Sequence, residues 1–326
     1  MSNGRSVRLW APTARARYGA GYGKTAALRV NGASRAAKAG AIGLLLRSVG
    51  TDASRLPHTG AMRYQEGVPR IPAVALSTVD ADLLHRKLGK GETVRVRMNL
   101  SCKSLPDAES ANVVGEIPGR EKPDEIVLLG AHLDSWDLGT GAVDDAAGCA
   151  HVIEAARLIG ARPTKPRRTL RVVLYANEEF GLRGGRQYVI EHANELQKHV
   201  AAFESDSGSG RVWGLQWNAG PGAERLFRGL VASLAVTPLE EKKGGDGGAD
   251  ISTLKASGIP LIGLRCDASR YFDVHHTAGD VLEEVKDPEL RTGVAATAAL
   301  AWALADAAEP LARIPEEERE EKARKR

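Results

Sequence analysis

The chain has 326 residues, 43% of them hydrophobic, 26% charged and only 5% aromatic, with 36 glycines and 15 prolines. These values exclude a collagen-like repeat, a disordered chain and a small disulfide scaffold, and the length leaves room for two domains or one domain with an insert. The net charge of +4, from 45 basic and 41 acidic residues, is no electrostatic footprint for nucleic acid, and no apolar run approaches the ~18 residues of a membrane span.

Residues 1–23 carry little pattern, lack the apolar stretch of a signal peptide and are expected to be mobile. Within them Gly19–Thr25 imitates a phosphate loop, but the glycine spacing is one residue short and no apolar strand precedes it. Ser34 is placed to cap a short helix over 35–40 that runs into a strand within 41–48. The proline-punctuated stretch 69–77 reads as extended, 79–88 as an amphipathic helix and 93–100 as an alternating strand. Together they predict a small α+β module, followed by a polar linker at 104–110.

The rhythm then changes. Apolar runs at 125–131, 169–176, 199–203 and 260–264 read as buried strands, and helical patterns fall at 144–159, 180–192 and 287–308. Apolar strands alternating with helices predict an α/β fold with a mostly parallel sheet and helices on both faces. The tail at 315–326, PEEEREEKARKR, is a solvated charge run. Cys102, Cys149 and Cys266 form no C-x-x-C pair, which excludes a zinc ribbon or thioredoxin-like site. Cys149 reads as a small core residue, and His58, His85, His151, His192 and His199 read as structural or surface residues.

Chemistry-bearing residues cluster where the apolar strands end, the place where open α/β sheets collect ligands. The first strand ends in His132-Leu-Asp134, the second in Glu178-Glu179 and the third in Glu204-Ser-Asp206; Asp144-Asp145 opens a helix and His275-His276 comes late. Each piece alone is ordinary: an Asp-Asp makes a good helix start, and adjacent glutamates mark a solvated turn. Together, His132, Asp144, Glu179, Asp206 and His276 supply two imidazoles and three carboxylates, a donor set suited to two divalent cations sharing a carboxylate. Without metal, carboxylates converging in a dry cleft would repel one another and take up protons. Asp134 is expected to accept the second ring N–H of His132, and Glu178 is left as the general base.

At these residues the sequence resembles the co-catalytic zinc exopeptidases of the aminopeptidase Y family, in particular their plasma glutamate carboxypeptidase (carboxypeptidase Q)-like branch. The stretches GAHLDSWDLGTGAVDDAAG, ANEEFGLRGGRQY, AFESDSG, GGADISTLKASGIP and YFDVHHTAGD carry the resemblance in order, and it spans nearly the whole chain. It implies two Zn2+ ions, one held by His132 and Asp206, the other by Glu179 and His276, with Asp144 bridging and Glu178 as base. It further implies a cis Asp144–Asp145 peptide and hydrolysis, by a hydroxide bridged between the two zinc ions, of dipeptides or short peptides with free termini.

GASRAAKAGAIGLLLRS and PHTGAMRYQEGVPRIPAVALS resemble the protease-associated domain that this branch inserts, expected to act as a lid, a spacer or a homodimer contact. The implied organisation is a mobile or truncated segment 1–23, an incomplete insert 24–103, a di-zinc catalytic domain 104–310 and a charged tail 311–326. Truncation would leave the core incomplete and an apolar surface exposed; the chain by itself does not give a localisation, and the resemblance implies an extracytoplasmic enzyme if the N-terminus is truncated. Two rivals remain: a mono-zinc glutaminyl-cyclase-like enzyme, disfavoured by the full ligand set, and a non-catalytic peptide-binding relative.

Overall fold

A single seven-stranded sheet organises the region that carries most of the candidate site. The computed structural model describes residues 16, 17, 19, 21–233 and 240–319, so most of the segment 1–23 and the end of the charged tail lie outside the described residues. The described chain forms two units. The first runs to Glu109 and also takes in Trp136–Thr140 and Ala268–Asp280; the second holds Ser110–Ser135, Gly141–Asp267 and the chain from Val281 onward. Two segments from inside the expected 104–310 domain therefore belong to the first unit.

In the first unit, α1 (Tyr22–Lys38) is one continuous helix of 17 residues, not the short helix expected at 35–40. Ser34 does not cap it. The residue is fully buried, and its Oγ accepts the Gln65 backbone N–H at 2.8 Å, so its hydroxyl is used across the unit and not at a helix end. In the phosphate-loop imitation, Thr25 lies in the first turn of α1 and bonds back to the Gly21 carbonyl. Strands β1 (Leu44–Arg47) and β2 (Ala73–Leu76) pair in parallel, and α2 (Thr78–Gly89) follows with Ser77 as its N-cap, accepting from the Asp80 N–H. The strand expected over 93–100 does not form. Val96 and Leu100 are about half exposed and no strand pairs with this stretch among the described residues, so its alternation has neither core nor ladder to join.

The second unit contains β3 (Val113–Ile117), β4 (Lys122–His132), α3 (Ala147–Gly160), β5 (Arg168–Tyr175), α4 (Arg183–Glu191), β6 (His199–Glu204), β7 (Val212–Asn218), α5 (Ala223–Ser233), β8 (Glu240–Lys243) and β9 (Leu261–Cys266). The short α6 (Tyr271–Val274) belongs to the first unit, and α7 (Asp287–Asp306) returns to the second. Strand order is β3-β5-β4-β6-β9-β7-β8, with β3/β5 and β7/β9 antiparallel and the other neighbours parallel. Strands β3, β7 and β8 and helix α5 are absent from the elements predicted.

The apolar run in β4 is continuous because both faces of the sheet are covered. Val127, Leu129 and Ala131 face a core shared with α3, α5 and α7. Leu128 faces a second core with Tyr188 of α4, Ile251, Leu254 and Ile259. Arg168, fully buried at the start of β5, is paired with Glu125 and donates to the Ala307 carbonyl.

His151 and His199 are fully buried and structural. His151 Nδ1 meets Ser205 Oγ at 2.8 Å, and His199 Nε2 meets the Tyr188 hydroxyl at 2.7 Å. Burial pushes both down to about 4, so the folded state keeps them neutral. The unfolded chain binds these protons below its ordinary histidine pKa near 6.5, so stability is full above that pH and lost as pH falls towards 4, by about 3 kcal/mol per histidine. His151→Gln is therefore expected to flatten the pH dependence of the unfolding free energy between pH 6 and 4.5 by about one proton, close to 1.4 kcal/mol per pH unit. Denaturant melts of the parent and variant proteins measure it, and coincident slopes would refute it.

Candidate metal centre

Strands β5, β4 and β6 are parallel neighbours, so their carboxyl ends lie side by side. That order brings together residues far apart in sequence. His132 is the last residue of β4; Glu178 and Glu179 follow β5 after two intervening residues, and Asp206 follows β6 after one.

Each side chain is held by its own local structure. Gly184 N–H donates to the Ala176 carbonyl at 2.9 Å, and both Gly181 and Leu182 N–H donate to the Glu178 carbonyl at 3.1 Å. Asn112, the residue before β3, secures this turn, accepting the Ala176 N–H at 3.0 Å and donating to the Gly184 carbonyl at 2.9 Å. Because the turn is tied this way, α4 begins at Arg183 and not at Phe180 as expected. Asp144 and Asp145 sit in an irregular turn before α3, and the peptide between them is cis, as the resemblance implies. Asp145 accepts the His132 N–H and the Gly148 N–H, each at 3.2 Å. Gly148 is a position where no side chain fits: a Cβ would come within 2.0 Å of the Ser205 carbonyl oxygen.

The resulting geometry suits a cation. His132 Nε2 is 3.2 Å from Asp144 Oδ1 and 3.7 Å from Asp206 Oδ1. One donor atom each from His132, Asp144 and Glu179 lie within 4.8 Å of one another, and so do donors from His132, Asp145 and Asp206. His132 Nδ1 faces the Asp134 backbone carbonyl at 2.9 Å, which makes Nδ1 the protonated nitrogen and presents Nε2 to the carboxylates. The Asp134 carboxylate does something other than expected. It lies 3.8 Å from His132 Nδ1 and accepts instead from the backbone N–H groups of Glu178 at 2.9 Å and Glu179 at 3.2 Å. A hydrogen bond to the backbone serves the ring equally well, and it releases the carboxylate to hold the turn after β5.

The electrostatics are those of a negative cleft. Burial opposes a charge on His132, but Asp144 and Asp206 outweigh it and hold the ring well above the ordinary histidine range. Burial followed by the Asp206 charge pushes Glu178 up to about 10, and burial with the Glu204 charge pushes Asp250 up to about 9. Burial likewise raises Glu204 to about 7 and lifts Asp145 and Asp206. Asp250 is fully buried with both carboxylate oxygens unpaired among the described residues. So many carboxyls around one imidazole are stable together when protonated or when a multivalent cation supplies the missing positive charge. The donor set therefore fits a divalent metal.

His276 belongs to the first unit. It follows α6, is buried, and adopts φ 61. Its ring stacks on His275 at 3.6 Å between centroids and lies 5.4 Å from the Trp136 ring.

Residues 112–301 match Peptidase family M28. The chain belongs to this family. It is 36% identical to mouse (Mus musculus) carboxypeptidase Q over 293 residues, which are 90% of this chain and 62% of that protein, so the M28 chain spans less than two thirds of this relative. An M28 peptidase precursor from Shewanella amazonensis SB2B has a solved structure that superposes with a TM-score of 0.88 at 45% identity, over 93% of this chain and 69% of that one. A zinc aminopeptidase from Bacillus subtilis shares the fold, with a TM-score of 0.59 at 20% identity over 82% of this chain and 65% of that one. The sheet with helices on both faces is thus the fold of a known metallopeptidase family. Among the described residues of this M28 chain, no helix is long and apolar enough to cross a membrane.

Asn112, Asp145, Glu204 and Asp250 complete the surroundings of the candidate site and carry no functional expectation in the sequence. Asp145 and Glu204 stand next to or two residues from proposed ligands and carry a local signal; Asn112 and Asp250 reach the site only through the fold.

Proposed function

We propose that the chain carries the catalytic centre of a zinc exopeptidase that hydrolyses dipeptides or short peptides with free termini, outside the cytoplasm. The observation that carries this reading is the convergence of His132, Glu179 and Asp206 at or just after the ends of three adjacent parallel strands, with Asp144 brought to His132 and Glu179 by the turn before α3. His132 and Asp206 would hold one zinc ion, Glu179 and His276 the second, and Asp144 would be shared, since its carboxylate is within reach of both His132 and Glu179. Residues 24–103 are read as a protease-associated insert.

Zinc bound there supplies Lewis acidity, which lowers the pKa of a bound water and polarises the scissile carbonyl. Glu178 takes the water's proton and returns it to the leaving amine. Asp134 keeps Glu178 in place through the backbone N–H it accepts, and the Asp134 carbonyl keeps His132 in the tautomer that offers Nε2. Metal analysis coupled to a panel of free and terminally blocked dipeptides tests the reading. The expected result is about two zinc equivalents, as a shared-carboxylate site requires, with cleavage only of substrates bearing a free terminus. One equivalent would favour cyclase-type chemistry, and full activity in metal-free protein would overturn the proposal.

A further inference from the structure

The loop Thr51–Gly60 is strapped to the segment that carries His276, and both lie in the first unit. Thr51 N–H donates to the Phe272 carbonyl at 2.9 Å, and Thr51 Oγ1 donates to Asp273 Oδ1 at 2.7 Å. Thr59 N–H donates to the His276 carbonyl at 2.9 Å, and His276 Nδ1 meets the Thr59 carbonyl oxygen at 3.2 Å. The loop is itself braced: the buried His58 donates its N–H to Ser48 Oγ at 2.8 Å, and its Nε2 pairs with Asp52 Oδ1 at 2.9 Å.

A carbonyl oxygen only accepts, so the His276 nitrogen facing it carries the proton. A neutral imidazole protonated at Nδ1 presents its lone pair at Nε2, and a partner of this kind fixes both tautomer and ring orientation in metal-binding histidines. The same Thr59 oxygen accepts from Arg29 Nη1 at 3.2 Å. Arg29 also donates to the Tyr22 hydroxyl at 2.8 Å, and the Tyr22 ring stacks on Phe272 at 4.9 Å between centroids. Gly60 leaves the space for this guanidinium: a Cβ there would lie 2.2 Å from Arg29 Cζ. One cation thus holds the carbonyl that orients the ring.

We propose that Thr51–Gly60, clamped by Arg29, is a positioning element for zinc binding, in which the Thr59 carbonyl fixes His276 as the Nδ1–H tautomer and directs Nε2 to the metal. The proposal rests on His276 being a zinc ligand. It makes Arg29 a positioning residue some 250 positions from the histidine it serves, on the order of the 217 that separate Thr59 from His276.

The test uses the full chain, zinc titrations against a chromophoric chelator, and 15N spectra of histidine-labelled protein in which the His276 signals are assigned by their loss in His276→Asn. In Arg29→Met, one of the two zinc affinities is expected to fall about 10–100-fold while the other is unchanged, with the His276 ring shifting from pure Nδ1–H to a tautomer mixture. Gly60→Ala should act in the same direction, and Arg29→Lys, which keeps a cationic donor, should restore most of the affinity. If Arg29→Met leaves both affinities unchanged while His276→Asn abolishes one, the positioning role is overturned and the ligand reading stands. If His276→Asn keeps both zinc ions at full affinity, the ligand reading fails and the proposal with it. Equal weakening of both sites, with a lowered melting temperature and an unchanged tautomer, would reduce Arg29 to a structural residue.

Discussion

Glu178→Gln is expected to lower kcat by roughly 10²–10⁴-fold while zinc content and KM stay near those of the parent protein. The amide keeps the volume of the side chain, and the turn that positions it depends on backbone groups: its N–H to Asp134 and its carbonyl to Gly181 and Leu182. What is lost is the capacity to take and return a proton. Glu178 stands beside the proposed ligands Glu179 and Asp206, and in the cation-free cleft burial and the Asp206 charge push it up to about 10. Cations bound to the neighbouring carboxylates act in the opposite sense and draw it towards the working range of a general base. Single-turnover kinetics on a free dipeptide, with metal analysis of the same preparation, measure both halves of the expectation. A variant that turns over at the parent rate would sink the assignment of the base.

Asp144→Asn is expected to remove metal binding as well as turnover. The Asp144 carboxylate is buried, 3.2 Å from His132 Nε2, and within reach of Glu179, so it is the group able to serve two cations at once. The amide preserves size and one acceptor oxygen but withdraws the negative charge that the two proposed sites would share. Replacing groups that merely orient a ligand weakens metal binding about 10–100-fold, and loss of a shared ligand should exceed that. Dialysed protein should retain well under one zinc equivalent per chain. Added zinc should no longer raise the melting temperature, whereas in the parent protein a concentration 100 times the Kd adds about 2.7 kcal/mol of stability. A variant that binds zinc with parental affinity would refute the bridging role.

The parts of the fold that were legible in the sequence have strong local signals. The apolar runs that became β4, β5, β6 and β9 are continuous because cores lie on both faces of the sheet, and such runs bounded by charged residues are hard to mistake. Helix α2 was readable from its period, while its Ser77 cap emerged only in the structure. The errors arose where a local pattern has more than one use. The alternation at 93–100 suits a strand but has no partner, and Ser34 suits a cap but bonds to Gln65 from the middle of a helix. Strand β8, EEKK, has no apolar signature and forms because Trp217 and its neighbours in β7 provide a ladder.

The same division holds at the site. By itself the sequence singled out a candidate donor set, most of it just after apolar runs, because residue type and the switch from apolar run to charged turn are local properties. The tertiary structure decided how those donors are oriented. It assigned the Asp134 carbonyl, and not the carboxylate, to His132, tied Glu178 and Glu179 to the freed carboxylate, and set Thr59 against His276 across 217 positions. Backbone carbonyls and N–H groups occur at nearly every residue and leave no mark in the sequence, so which of them meets a given side chain is settled only when the chain packs.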